Sequence, residues 1–228
     1  MPAKNTLKLY VQNGYYHLYN RGVEKRETFL DKQDYGVFLG YLKEYLLPKN
    51  EEELYKQYNA AGTDWQTKQE IRKILARNNF ANEINLLAYC LMPNHFHLLI
   101  KQKSASSIDN FMRSLCTRYS VYFNRKHKRV GSLFQGVYKG VLVENDPQLL
   151  HLSRYIHKQA YYQGESSIIH PCSFPEYLGQ RTAAWIKSKE ILSFFSKTNL
   201  RLGYKSFVEE NDTEEGVTLL HDLTLEEE

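Results

Sequence analysis

Apolar residues along the chain recur with two different periods, and these divide it into strands and helices. Residues 15–20 (YYHLYN) form a short aromatic-rich run that Arg21-Gly22 closes, which reads as a strand. From Asp31, a suitable N-cap, Tyr35, Phe38, Leu39, Leu42 and Leu46 fall at helical spacing, and Pro48 ends the pattern. Residues 49–82 are polar and highly charged; they read as a solvent-exposed insertion with a helix at 66–77. Two apolar runs follow, Ile84–Leu91 and His95–Lys101, and the Pro93-Asn94 turn between them predicts a β-hairpin. A helix is expected from about Ser107 to Arg125, with Ile108, Phe111, Leu115 and Tyr122 along one stripe. Leu133–Glu144 reads as a strand. Asn145 or Asp146 then caps a helix that has Pro147 in its first turn and runs to about Tyr162.

The order β-α-β-β-α-β-α predicts an α+β fold of the ferredoxin-like, split-βαβ kind. That is an antiparallel sheet with helices on one face, plus an added helix and a C-terminal helical extension. Residues 1–165 are expected to form the core domain, including the insertion. Residues 166–228 form the extension, with a helix near Lys187–Ser196 and an acidic, mobile tail from about residue 209.

Composition changes this picture mainly through charge. At 228 residues, with 42% hydrophobic and 25% charged residues, the chain can build a core without disulfides or a structural metal. The longest apolar run, Leu86–Met92, is far too short to span a bilayer. The opening MPAKNTLKLY lacks the apolar stretch of a signal peptide. Cys90, Cys116 and Cys172 make an odd count without a C-x-x-C pair, so a reducing cytoplasm is expected. The net charge of +4 conceals a split. Residues 209–228 carry nine acids and no Lys or Arg, which leaves 30 basic against 17 acidic residues in the first 208. A body this basic predicts a polyanionic partner, nucleic acid first among them. The expected phosphate-binding residues are Arg113, Arg118, Arg125, Lys126, Lys128 and Arg129, with Tyr119, Tyr122 and Phe123 interleaved as base-stacking candidates, at least one of Tyr122 and Phe123 being partly core. The acidic tail is expected either to be solvated or to fold back on this basic surface.

The sharpest candidate chemistry is His95-Phe96-His97. Residues two apart in a strand share a face, so both imidazoles project together while Phe96 packs into the core. Such a pair is either half of a divalent-metal site or two unrelated polar side chains. The helix after the last strand offers more donors. Leu149, Leu152 and Ile156 mark its packed face, Tyr155 borders that face, and Gln159 lies one turn further on. Tyr155 is either a nucleophilic hydroxyl or a packing residue; Gln159 carries an amide oxygen able to reach a metal. His157 and Lys158 point elsewhere and receive no role in the chemistry.

These residues resemble a known family. LLAYCLMPNHFHLLIK (Leu86–Lys101) resembles the signature of single-tyrosine HUH transposases, named for His, a bulky hydrophobic residue and His. YHLYNRG (Tyr16–Gly22), GSLFQGVYKGVLVE (Gly131–Glu144) and LSRYIHKQA (Leu152–Ala160) resemble the family's other blocks in order, and the REP-associated tyrosine transposase branch most of all. The resemblance covers roughly residues 15–200. It implies that residues 1–165 are the catalytic domain of a DNA transposase acting on single-stranded, hairpin-containing DNA through a 5′-phosphotyrosine intermediate. Tyr155 would be the catalytic nucleophile, and His95, His97 and Gln159 would hold Mg²⁺ or Mn²⁺. Where the branch commonly reads Y-I-H-L-N-P, this chain reads Tyr155-Ile156-His157-Lys158-Gln159-Ala160. The other functional classes compatible with the sequence are a domesticated, sequence-specific DNA-binding protein and a metal-dependent phosphodiesterase that uses water. The expected setting is a bacterial cytoplasm, at the nucleoid when bound to DNA, with no membrane partner. A homodimer and a monomer both fit a chain with one candidate tyrosine.

Overall fold

The computed structural model describes residues 10–160, 168–195, 198–210, 214–220 and 223. Four strands, β1 (Tyr15–Arg21), β2 (Ile84–Met92), β3 (His95–Gln102) and β4 (Lys139–Val143), form one antiparallel sheet in the order β2-β3-β1-β4. That is the ferredoxin-like order the sequence predicts. It arises because β3 inserts between the two parallel strands β1 and β2 of a split βαβ unit.

One face of the sheet is covered by α1 (Lys32–Leu46) and α4 (Ser107–Lys126). Asp31 caps α1 as expected, accepting from the Gln33 and Asp34 N–H groups. Phe38, Leu42, Phe111, Leu115 and Tyr119 pack here on Leu18, Phe96, Leu98 and Ile100. The insertion holds two helices, α2 (Glu51–Asn59) and α3 (Trp65–Ala76). Only α3 matches the expected helix; α2 buries nothing, so no apolar stripe announced it.

The second face is covered by α5 (Asp146–Lys158) and by the C-terminal elements α6 (Phe174–Tyr177), α7 (Lys189–Leu192), α8 (Leu200–Glu209) and α9 (Glu214–Leu220). Asn145 is the cap of α5, its side chain accepting from the Gln148 N–H. The two main helices α1 and α4 thus share one face, as expected, and the added helix and the C-terminal extension cover the other. Three expectations are corrected. The strand over Leu133–Glu144 is confined to Lys139–Val143, because Gly131 and Gly136 take positive φ and break the extended run ahead of it. The helix near Lys187–Ser196 shrinks to the single turn of α7, and Ser196 lies outside the described residues. The acidic tail contains a helix, α9, packed beside α5 and not on the basic surface of α4; Asp212, Asp222 and Glu226–Glu228 lie outside the described residues.

Two local features set which residues reach the second face. A β-bulge between Leu86 and Ala88 points Leu87 and Ala88 to the same side, and the alternation beyond it is reset. Cys90 thereby becomes the cross-strand partner of His97. At the other end of the sheet, the Gly22 N–H donates to Asn94 O (2.8 Å), and Thr28 and Phe29 both donate to Pro93 O. This clamps the turn that leads into His95. A Cβ on Gly22 would lie 2.2 Å from the Arg26 carbonyl oxygen, so the close approach requires glycine there.

Candidate active site on the second face of the sheet

Strand period places His95, His97 and Leu99 on the face opposite Phe96, Leu98 and Ile100, as the sequence predicts. Phe96 is fully buried in the first core. On α5, Leu149, Leu152 and Ile156 are buried against the sheet, which rotates the half-buried Tyr155 toward the histidines. Its ring centroid lies 5.5 Å from that of His97, edge to face. Gln159 is the C-cap of α5 and keeps helical φ and ψ, with its N–H on the Tyr155 carbonyl at 3.1 Å. It therefore remains one turn beyond Tyr155.

The electrostatics suit neutral imidazoles. Burial pushes the His95 ring down to about 4, helped by the nearby charges of Arg21, His170 and His17. Burial holds His97 well below the usual histidine range, with His17, His95 and Arg21 adding to the effect. His95 Nδ1–H donates to Asn94 Oδ1 (2.5 Å), leaving its Nε2 for the site. His97 Nε2 is fully buried and has no hydrogen-bond partner among the described residues. A buried polar atom in that condition is uncommon and calls for a reason. A neutral imidazole nitrogen with an open lone pair is a good ligand for a divalent transition ion. Among the described residues, no group of three or more His, Cys, Asp or Glu side chains is arranged to hold a metal. A further protein ligand would have to be of another type, and the Gln159 amide is one.

Two residues of this region escaped sequence reasoning. His17 of β1 stacks beside His97, with ring centroids 5.1 Å apart and its Nε2 2.9 Å from His97 Nδ1. Arg21 pairs in register with His95 and has a buried Nε without a partner among the described residues. Both share the parity of Tyr15 and Tyr19 along YYHLYNR, so a period-two reading puts them on one face. Only the β1–β3 register shows that this face is the histidine face.

The six expected DNA-binding residues lie on α4 and the loop after it, on the other side of the sheet, and they separate into two groups. Arg118 is paired with Glu44 and stacked on Tyr41, its guanidinium 3.8 Å from the ring centre. Lys126 is paired with Asp31 and with the fully buried Asp34. Arg129 is bonded to Asn124 Oδ1 and to the Ser132 carbonyl. Arg113, Arg125 and Lys128 are exposed. A groove of about 650 Å³ between α1 and α4 is lined by Tyr41, Tyr122, Val121 and the cations Arg118, Arg125 and Lys126. Of the interleaved aromatics, Tyr119 and Phe123 are buried in the core, so Tyr122 alone of the three is open to a base. No helix among the described residues is long and apolar enough to cross a membrane.

Part of the chain is similar to known proteins. Residues 54–159 match the family model of IS200-like transposases, a span that contains both strand histidines, Tyr155 and Gln159. That span, a little under half of the chain, is what resembles the IS200-like transposases. Two solved structures align with it. One is a REP-associated tyrosine transposase bound to a REP hairpin, with 11% identity over 69% of this chain and 73% of that one (TM-score 0.43). The other is a protein of Deinococcus radiodurans R1 described as a candidate transposase, with 16% identity over 70% of this chain and 98% of that one (TM-score 0.27). No curated protein matches the chain.

Proposed function

We propose that this protein cleaves and rejoins single-stranded, hairpin-containing DNA through a 5′-phosphotyrosine intermediate, as the REP-associated tyrosine transposases that its sequence resembles do. The observation that carries the reading is the meeting of Tyr155 with His97 beside a buried ring nitrogen that none of the described residues satisfies. In this reading the Tyr155 oxygen attacks the scissile phosphorus. The Oη–P bond forms, the P–O3′ bond breaks, and the departing O3′ ends as a hydroxyl with the proton that Tyr155 gives up. The phosphotyrosine ester keeps the energy of the broken bond, so a DNA 3′-OH can reverse the step on a new junction without a nucleotide cofactor.

His95, His97 and Gln159 would hold a divalent metal, Mg²⁺ or Mn²⁺, which when bound polarises the phosphate and offsets charge on its oxygens. The two imidazoles are already neutral, so no proton has to leave them first. Arg21, beside His95, would add a fixed positive charge on the same phosphate. Arg113, Arg125 and Lys128, with Tyr122, would carry flanking DNA along α4.

Labelled single-stranded hairpin DNA incubated with the protein and Mn²⁺ tests the reading on a denaturing gel. The expected result is a covalent adduct that disappears in Tyr155→Phe and with a chelator. Binding without an adduct would instead indicate a DNA-binding protein that no longer transposes. Cleavage that survives Tyr155→Phe would indicate a phosphodiesterase using water.

A further inference from the structure

The H-x-H pair is held differently at its two ends. His95 is fixed by the side chain next to it, Asn94. His97 is fixed by a second histidine from another strand. His17 is fully buried, with Nδ1 2.5 Å from the carbonyl oxygen of Leu223 and Nε2 2.9 Å from His97 Nδ1. These two contacts determine where the protons sit. A carbonyl oxygen only accepts, so His17 Nδ1 carries a hydrogen. An uncharged His17 then presents a lone pair on Nε2, and the hydrogen of the shared bond belongs to His97 Nδ1. His97 Nε2 is left bare, and this is the buried atom without a partner. The chain Leu223 C=O, His17, His97 thus has one direction only, and it ends on an open lone pair.

We infer that His17 is a positioning residue that relays the backbone carbonyl of the C-terminal segment onto His97, locking His97 in the Nδ1–H tautomer with Nε2 turned to the site. The inference deepens the reading of His97 as a metal ligand and rests on it for its purpose, though the tautomer itself can be read without metal. Second-layer partners of this kind set the ring orientation and basicity of metal-bound histidines, and in most metal sites they are carboxylates or backbone carbonyls. Here a histidine does the same, because the sheet places a third imidazole on this face and the chain 206 residues later supplies the acceptor. It also gives the C-terminal extension a part in the site beyond covering the sheet.

Two measurements on the full chain test this. In ¹⁵N-labelled, metal-free protein, long-range ¹H–¹⁵N correlations report the tautomer of each histidine. His17 and His97 are both expected as single Nδ1–H forms; an Nε2–H form at His97, or an exchanging mixture, overturns the relay. Mn²⁺ affinity, followed by the electron paramagnetic resonance of the free ion, tests its consequence. His17→Leu is expected to weaken binding by about 10- to 100-fold, the usual effect of losing a second-layer partner. His17→Gln places an amide oxygen where Nε2 stood and is expected to stay within about threefold of the native protein, because it accepts the same hydrogen. Equal losses in both variants, or none in either, overturn the proposal. If the Leu variant does not fold, the native tautomer spectrum and the Gln variant still decide. If the native protein binds no Mn²⁺, the metal reading fails while the tautomer spectrum continues to judge the relay.

Discussion

Two buried histidine regions sit within one helix of each other, and they differ in a single nitrogen. His157, on the far side of α5, is fully buried and pushed down to about 3 by burial. Its Nδ1–H donates to the Tyr204 hydroxyl (2.7 Å), and its Nε2 accepts from Ser173 Oγ (2.8 Å). Tyr204 donates onward to Ser153, and Ser173 accepts the Tyr89 N–H. Every hydrogen-bonding group of that ring is satisfied, so its role is to fasten α5 to α8 and to the segment before α6. His97 is equally buried and equally neutral, yet its chain of bonds stops at an empty lone pair. Burial and a depressed pKa are therefore common to both rings, and the unsatisfied nitrogen is what sets His97 apart.

The largest effects that could break this contrast come from truncating each ring. His97→Ala should lower strand cleavage by about 10³-fold, the order expected when several kcal/mol of charge stabilisation is lost. Its unfolding free energy should fall by less than in His157→Ala, since the ring takes one orphan atom with it and leaves only His17 Nε2 without a donor. His157→Ala should do the reverse. It strands the Tyr204 oxygen and the Ser173 hydroxyl in the core and should destabilise by about 2–4 kcal/mol, while cleavage by the folded fraction changes less than about tenfold. Denaturant titration and single-turnover cleavage on both variants decide. A large stability loss in His97→Ala would make that ring structural as well.

Arg21 extends the contrast to a cation. Its Nε has no partner among the described residues and Arg21 lies on the same face as His95, whereas a structural arginine such as Arg181 is held by Glu176 and the Cys172 carbonyl. Arg21→Gln should reduce cleavage by about 10²-fold, one charged donor's share of transition-state stabilisation, and leave the melting temperature nearly unchanged. Unaltered cleavage would remove Arg21 from the site.

Much of this was legible along the chain, and what was not has a physical reason. The caps Asp31 and Asn145 and the Pro93-Asn94 turn fix three element boundaries by local chemistry alone. His95, His97 and Tyr155 were legible because periods of 2 and 3.6 are local as well. His17 was not, since its face is known but its neighbour depends on strand register. The division of the α4 cations was hidden for the same reason: Asp31, Asp34 and Glu44, which neutralise Lys126 and Arg118, arrive from α1.

Acid should act on both histidine regions together. His17 is pushed down to about 4 and His157 to about 3, both by burial. Unfolded histidine titrates near 6.5, so below that pH the unfolded chain binds protons that the folded one refuses. Their contribution to stability is complete above about pH 6.5 and declines as pH falls toward 4 and 3. The melting temperature should therefore drop steadily between pH 7 and 5, and His157→Gln should flatten the slope. A native protein equally stable at both pH values would mean that these rings are hydrated.

The smallest effect concerns two arginines on α4 and the charge each leaves free. Arg118 has its charge spent on Glu44 and its face on Tyr41, whereas Arg125 is exposed. If exposed charge carries DNA along α4, Arg125→Ala should weaken single-stranded DNA binding by a few fold and lower the slope of log affinity against log salt by about 0.7, one phosphate's worth. Arg118→Ala should leave that slope unchanged and instead lower stability, because Glu44 would keep only Arg77 as a partner. Binding measured at several salt concentrations for the two variants separates them. Equal slopes would show that DNA does not run along α4.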